Sequence, residues 1–334
     1  MLRWILRLAV AIGLAAIAFV AIVLALWRPR LWRANAAALT HRASIDGLKR
    51  DVASLPPFRA QGSMARQVDL YTEKLLSQQL TALGWSVQLQ DVPDDGSDTK
   101  LAKLNFGVVH NLVATRGLAA SGPITVIGAH LDSVIRSPGA DDDGSGIAVL
   151  LELARLLSPE AASHVELCFF NSEEIGLHGS KAFAKALKPE DASRIRVAIV
   201  MDMVGAYDSR PHSQSYPPPL SWLAPDTGDF LSVIALTDAD DSVQALKHAR
   251  EQASPELSMV LFEPPRAIAE KFPDIWRSDH APFWEAGVPA IFLTDTGEFR
   301  TSRYHNATDT ADALDYARMA ALTDALVAML DTYK

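Results

Sequence analysis

The sequence has no second cysteine, no basic excess and no internal repeat. With Cys168 alone no internal disulfide can form. Cys168 lies in the apolar run 165–170 and reads as a small buried side chain, with no basic neighbour to lower its pKa into the reactive range. A formal charge of −9 offers no basic patch to a phosphate backbone, so nucleic acid is excluded as the expected partner. Charge is also missing locally. From Leu8 to Trp27 no side chain is ionised, and a run of that length is about what a helix needs to span a bilayer.

Arg3 and Arg7 precede this run, Arg28, Arg30 and Arg33 follow it, and Trp4, Trp27 and Trp32 fall where interfacial aromatics stand. The nearby small-residue motif Ala34-Asn-Ala36 lies beyond three arginines, unlike the cleavage site of a signal peptide. The expectation is an uncleaved single-pass anchor over residues 1–33 and one folded domain over 34–334, on the extracytoplasmic side. The alternative is a cleaved signal and a secreted or periplasmic domain. Oligomeric state leaves no mark on the sequence.

The composition that remains, 49% hydrophobic over 334 residues, suits one large domain with a substantial core. Residues 34 to about 80 pattern as amphipathic helix interrupted at Pro56-Pro57, and 85–90 alternates as a half-buried strand does. Beyond that, strands are predicted at 108–115, 124–129, 165–170, 195–201, 231–236, 257–262 and 290–293. Helices are predicted at 145–157, 180–187, 242–252 and 311–333. Segments such as 124–129 are nearly all apolar, as in strands covered on both faces. This alternation predicts an α/β three-layer sandwich with a mostly parallel mixed central sheet. Ligands bind such sheets beyond the carboxyl ends of the strands.

Acidic and imidazole side chains gather at those ends. His130 and Asp132 follow one strand, Glu173 and Glu174 another, and Asp202 a third, while Asp141-Asp142-Asp143-Gly144 and His305 lie between and beyond them. Imidazole and carboxylate are the ligand types zinc takes in catalytic sites. Two metals a few ångströms apart need a shared carboxylate, and the aspartate triplet offers one. A lone histidine at a strand end is ordinarily a solvated or satisfied side chain; the ordered set argues otherwise. The polar, proline-rich segment 205–229 reads either as a substrate-covering loop or as a surface excursion.

From about Asn111 onward the chain resembles the zinc-dependent aminopeptidases of family M28. The motifs are Gly128-Ala-His130-Leu-Asp132-Ser133, Pro138-Gly-Ala-Asp-Asp142-Asp-Gly-Ser-Gly146, Glu173-Glu174-Ile-Gly-Leu-His-Gly-Ser180, Met201-Asp202-Met203, Ser278-Asp279-His280-Ala-Pro-Phe283 and Tyr304-His305. The resemblance implies two zinc ions per chain and a peptide substrate. His130 and Asp202 would hold one zinc, Glu174 and His305 the other, with Asp142 as the bridge. Glu173 would be the general base. Asp132 would accept the second N–H of His130 and fix its tautomer. Asp279 and His280 would be a nearby supporting or substrate-facing pair, although His280 by itself rivals His305 as a ligand. Asp141 and Asp143 read as turn and helix-start residues. Met203, Ile175, Trp276, Phe283 and Tyr304 fit either an apolar substrate pocket or the core. The implied activity is a metallo-exopeptidase; alternatives are a glutaminyl cyclase-like acyltransferase and a catalytically dead binding module. Cobalt or manganese could replace zinc in such a site.

Overall fold

The computed structural model describes residues 29–34, 41–59, 66–93, 109–216 and 224–333, together with Gly13. Gly13 aside, the anchor expected over 8–27 lies outside the described residues. Among those described, no helix is long and apolar enough to cross a membrane.

In chain order the principal elements are β1 (Arg30–Trp32), α1 (Ile45–Ser54), α2 (Arg66–Ala82), β2 (Ser86–Val92), β3 (Val109–Thr115) and β4 (Ile124–His130). Next come α3 (Gly144–Leu156), β5 (Val165–Phe170), α4 (His178–Ala186), β6 (Ile195–Met201) and β7 (Leu231–Ala235). The chain closes with α5 (Asp240–Ala253), β8 (Met259–Phe262), α6 (Ala281–Glu285), β9 (Ala290–Thr294) and α7 (Tyr316–Thr332). The strands form one sheet in the order β1-β8-β7-β9-β6-β4-β5-β3-β2.

Strand direction departs from the sequence expectation. The central strands β9, β6, β4 and β5 run parallel, as do β7 and β8. The pairs β1–β8, β2–β3, β3–β5 and β7–β9 are antiparallel. The sheet is therefore evenly mixed, with a parallel centre, rather than mostly parallel. An apolar run tells which segment is a buried strand but carries no information on its direction. The sheet also begins at Arg30, inside the segment assigned from sequence to the anchor's flank.

Period-two alternation divides each central strand between two apolar layers. Val197, Ile199 and Met201 of β6 face the layer containing α1, α3, α5 and α7. Ala198 and Val200 face the layer containing Phe183 of α4 and Trp284 of α6. With helices on both faces, the three-layer architecture follows. Gly128 of β4 has a close-packing role: a Cβ there would stand 2.4 Å from Cε2 of Phe170. The predicted C-terminal helix is split, because a short turn at Ala311–Ala313 precedes α7, which starts where the Asp315 carboxylate caps Arg318 N at 3.1 Å.

Candidate metal centre

Parallel register brings the strand ends together. His130 ends β4 opposite Phe170 of β5, and Gly128 pairs with Val200 of β6. Two residues beyond those partners lie Ser172 and Asp202, so both loops leave the sheet at one edge. Asp143 joins the loops to α3. Its carboxylate caps the helix at Gly146 N (3.1 Å) and also accepts from His130 N (3.1 Å) and Met203 N (3.1 Å). The helix-start reading of Asp143 agrees with this geometry.

Five of the six residues read from sequence as ligands or base form two overlapping sets. His130, Asp142 and Asp202 make one, and Asp142, Glu174 and His305 the other, with the candidate ligand atoms of each set within 4.8 Å of one another. His130 Nε2 lies 3.0 Å from Asp142 Oδ1 and 3.7 Å from Asp202 Oδ1. His305 Nε2 lies 3.0 Å from Glu174 Oε2 and 3.4 Å from Asp142 Oδ2. Asp142 thus turns one oxygen toward each set. The sixth residue, Glu173, is buried beside them and belongs to neither set.

The donor set fits divalent cations. Asp142 Oδ2 and Glu174 Oε1 are buried without a hydrogen bond. Burial, followed by the Glu174 carboxylate, pushes Asp142 up to about 7 against the pull of His130. Burial also holds Glu173 well above the usual carboxylate range, and Asp202, Asp279 and Glu174 add to the rise. Crowded, desolvated carboxylates of this kind need positive charge to remain ionised.

Asp132 stands beside His130 Nδ1, as expected, and has a further role. The backbone carbonyl of Asp132 faces His130 Nδ1, at 3.0 Å, while its carboxylate stands 3.7 Å away, beyond hydrogen-bond range. That carboxylate accepts instead from the backbone N–H groups of Glu173 (3.0 Å) and Glu174 (3.2 Å). It therefore clamps the turn that presents both glutamates. The turn carries Ser172 at φ 62, and Met203 (φ 55) and His305 (φ 55) share the left-handed region. Left-handed backbone at three positions beside the cluster is the strain expected where side chains are aimed at a site.

Asp279 and His280 lie outside both ligand sets. Asp279 accepts from Ser180 Oγ at 2.5 Å, and burial pushes its pKa up to about 7. His280 is fully buried, stacked on Phe292 at 4.3 Å and placed edge-on to Trp284 at 4.4 Å, and its Nε2 donates to Ile275 O at 2.8 Å. Of the two rival histidines, His305 is the one beside Asp142 and Glu174.

A cavity of about 400 Å³ opens from the cluster. Asp142, Glu173, Glu174, Asp202 and His305 stand in its wall, which continues over Ile234, Phe262 and Phe292. Met203 and Tyr304 also line it, whereas Phe283 is buried in the core. Tyr216, from the 205–229 segment, closes part of the wall, and the Asp208–Gly228 bridge ties the base of that segment.

Three supporting residues were not singled out in the sequence. Buried Arg59 donates to Leu131 O (2.7 Å) and Gly139 O (2.7 Å), holding both ends of the loop that leads from β4 to the aspartate triplet. Asp309 accepts from the backbone N–H groups of Asp141 (2.8 Å) and Asp142 (3.2 Å). Asn111 takes the N–H of Asn171 at 2.9 Å and donates to Gly179 O at 2.8 Å, bracing the glutamate turn. The position of Asp309, four residues after His305, was the available signal for one of them. Arg59 had none, since arginine is by default a surface residue.

The chain is similar to known proteins in sequence and in fold. The chain is 38% identical over 258 residues to YfbL, an uncharacterized protein of Escherichia coli (strain K12), covering 74% of this chain and 75% of that one. It is 29% identical to an aminopeptidase of Pseudomonas aeruginosa (strain UCBPP-PA14) over 54% of this chain, and it spans 30% of that protein's length. The fold matches BSAP, a zinc aminopeptidase from Bacillus subtilis, with TM-score 0.61 and 16% identity, covering 87% of this chain and 95% of that one. The model of peptidase family M28 matches residues 111–330, and the chain accordingly belongs to peptidase family M28.

Proposed function

We propose that this chain is a metallo-exopeptidase of the aminopeptidase type, removing N-terminal residues from peptides with two zinc ions as cofactor. The observation that carries the reading is the pair of ligand sets sharing Asp142, with the Glu173 carboxylate beside them and outside both. His130 and Asp202 would hold one zinc and Glu174 and His305 the other, with Asp142 between. Bound zinc supplies Lewis acidity, which lowers the pKa of water and stabilises negative charge on the attacked carbonyl oxygen. Glu173 takes the proton of the attacking water and returns it to the leaving amine. Asp132 keeps Glu173 aimed by holding its backbone N–H. The apolar wall of Ile234, Phe262 and Phe292 would accept an apolar side chain at the substrate's first residue.

The domain reading extends this proposal: the peptidase domain takes in β1 together with residues 34–334, and the uncharged run 8–27 anchors it to a membrane. Membrane fractionation of the full chain and of a chain lacking residues 1–28 tests the anchor; equal solubility of both would rule it out.

The fold itself does not separate peptide hydrolysis from glutaminyl cyclisation. Purified, metal-loaded protein offered an aminoacyl anilide and a glutaminyl peptide separates them. Chelator-sensitive release of the anilide is expected. Cyclisation without anilide release would favour the cyclase, and no zinc-dependent turnover of either would mark a binding module.

A further inference from the structure

The two candidate imidazole ligands are held in different ways. His130 is almost fully buried, and its Nδ1 faces the Asp132 carbonyl at 3.0 Å, the usual device for fixing a metal-binding ring and its tautomer. His305 lacks that support. Its side chain is 35% exposed, and among the described residues no hydrogen bond reaches its Nδ1. The ring lies instead against Tyr304, with centroids 3.7 Å apart and planes inclined by 21°. Tyr304 is in turn fixed by Arg277, whose Nη2 donates to the phenol oxygen at 3.2 Å. Arg277 is itself held by Glu298, through Nη1 at 2.6 Å and Nη2 at 3.3 Å, the two-pronged contact that immobilises a guanidinium.

A half-exposed imidazole on a left-handed residue has several accessible rotamers, and only some direct Nε2 toward Glu174 and Asp142. Resting on the two-metal reading, we propose that Arg277 is a positioning residue: through Tyr304 it holds the His305 imidazole in the orientation that binds its metal. The stacked ring takes the place of the hydrogen-bond acceptor that His130 has. Because Arg277 reaches only the second ligand set, its loss should act on one metal and spare the other.

The test is cobalt(II) titration of the metal-stripped full chain, followed by calorimetry and by the visible absorption of bound cobalt. The unaltered chain should show two binding steps. Arg277→Met and Tyr304→Leu should each weaken one step by about 10–100-fold, the usual loss on removing a support behind a ligand, and leave the other step unchanged. Arg277→Lys, which keeps a donor for the phenol oxygen, should recover part of the loss. The Arg277 side chain is 45% exposed, so Arg277→Met should fold, and far-ultraviolet circular dichroism verifies this. Two unchanged steps in Arg277→Met, or equal weakening of both, would overturn the positioning role. Absence of any metal binding by the unaltered chain would overturn the two-metal reading instead.

Discussion

Asp132→Asn should cost activity and stability while leaving the metal content intact. The Asp132 carboxylate is 1% exposed and accepts the N–H groups of both Glu173 and Glu174. Asparagine offers one oxygen and one amide nitrogen, so one N–H keeps its acceptor and the other meets a donor. Losing one hydrogen bond to a buried charged group costs about 1.5–3 kcal/mol. These bonds also hold Ser172 at φ 62, a conformation that costs about 1–3 kcal/mol unless the surroundings enforce it. Partial relaxation of the turn recovers some of that strain, so the net loss of stability should be about 1–2 kcal/mol, read by urea unfolding. Relaxation also moves Glu173, and a displacement of about 1 Å at a reacting group lowers kcat/KM by about 100-fold. The Asp132 carbonyl is unaltered, so His130 keeps its orientation. Stability within about 0.5 kcal/mol of the unaltered chain would refute the clamp. Loss of metal with full stability would return Asp132 to the role of imidazole partner.

Glu173→Gln should lower turnover by about 10²–10⁴-fold with folding and metal content preserved, and comparable activity would remove Glu173 as the base. Gly128→Ala should destabilise the fold by about 1–3 kcal/mol, because the new Cβ meets the Phe170 ring at 2.4 Å; unchanged urea unfolding would contradict the packing of β4 on β5. His280 is held neutral, its pKa lowered by burial from 6.5 to about 4. The unfolded chain therefore takes up this proton first, so the stabilisation is complete above about pH 6.5 and is lost as the pH falls toward 4. The corresponding loss is about 3 kcal/mol, and His280→Gln should flatten the pH dependence of unfolding between pH 7 and 5. An unchanged slope would contradict a buried neutral imidazole.

The central strands of the fold were legible because β4, β5 and β6 are six- or seven-residue, largely apolar runs, each ending in a polar loop. Their carboxyl ends carried His130, Glu173, Glu174 and Asp202, so the candidate cluster could be assembled from order alone. β1 was hidden because its three residues sit among the arginines and tryptophans that flank the uncharged run. The direction of β3 and of β7 was hidden because both are set by partners distant in sequence. The backbone share of the Asp132 role was not legible, because the ring nitrogen of His130 meets the nearer backbone carbonyl, which no side-chain pattern encodes. Arg59 acts on backbone carbonyls of the loop before the triplet, and such contacts likewise leave no spacing to read.

The central claim is that side chains scattered from His130 to His305 grip a pair of cations around a shared aspartate. Elemental analysis of the purified full chain, after dialysis against zinc and removal of loosely bound metal, tests it most directly. Two zinc ions per chain, falling below two when Asp142 is replaced by alanine, is the predicted result. A chain that retains no zinc, or an Asp142→Ala variant that retains the full complement, would contradict it.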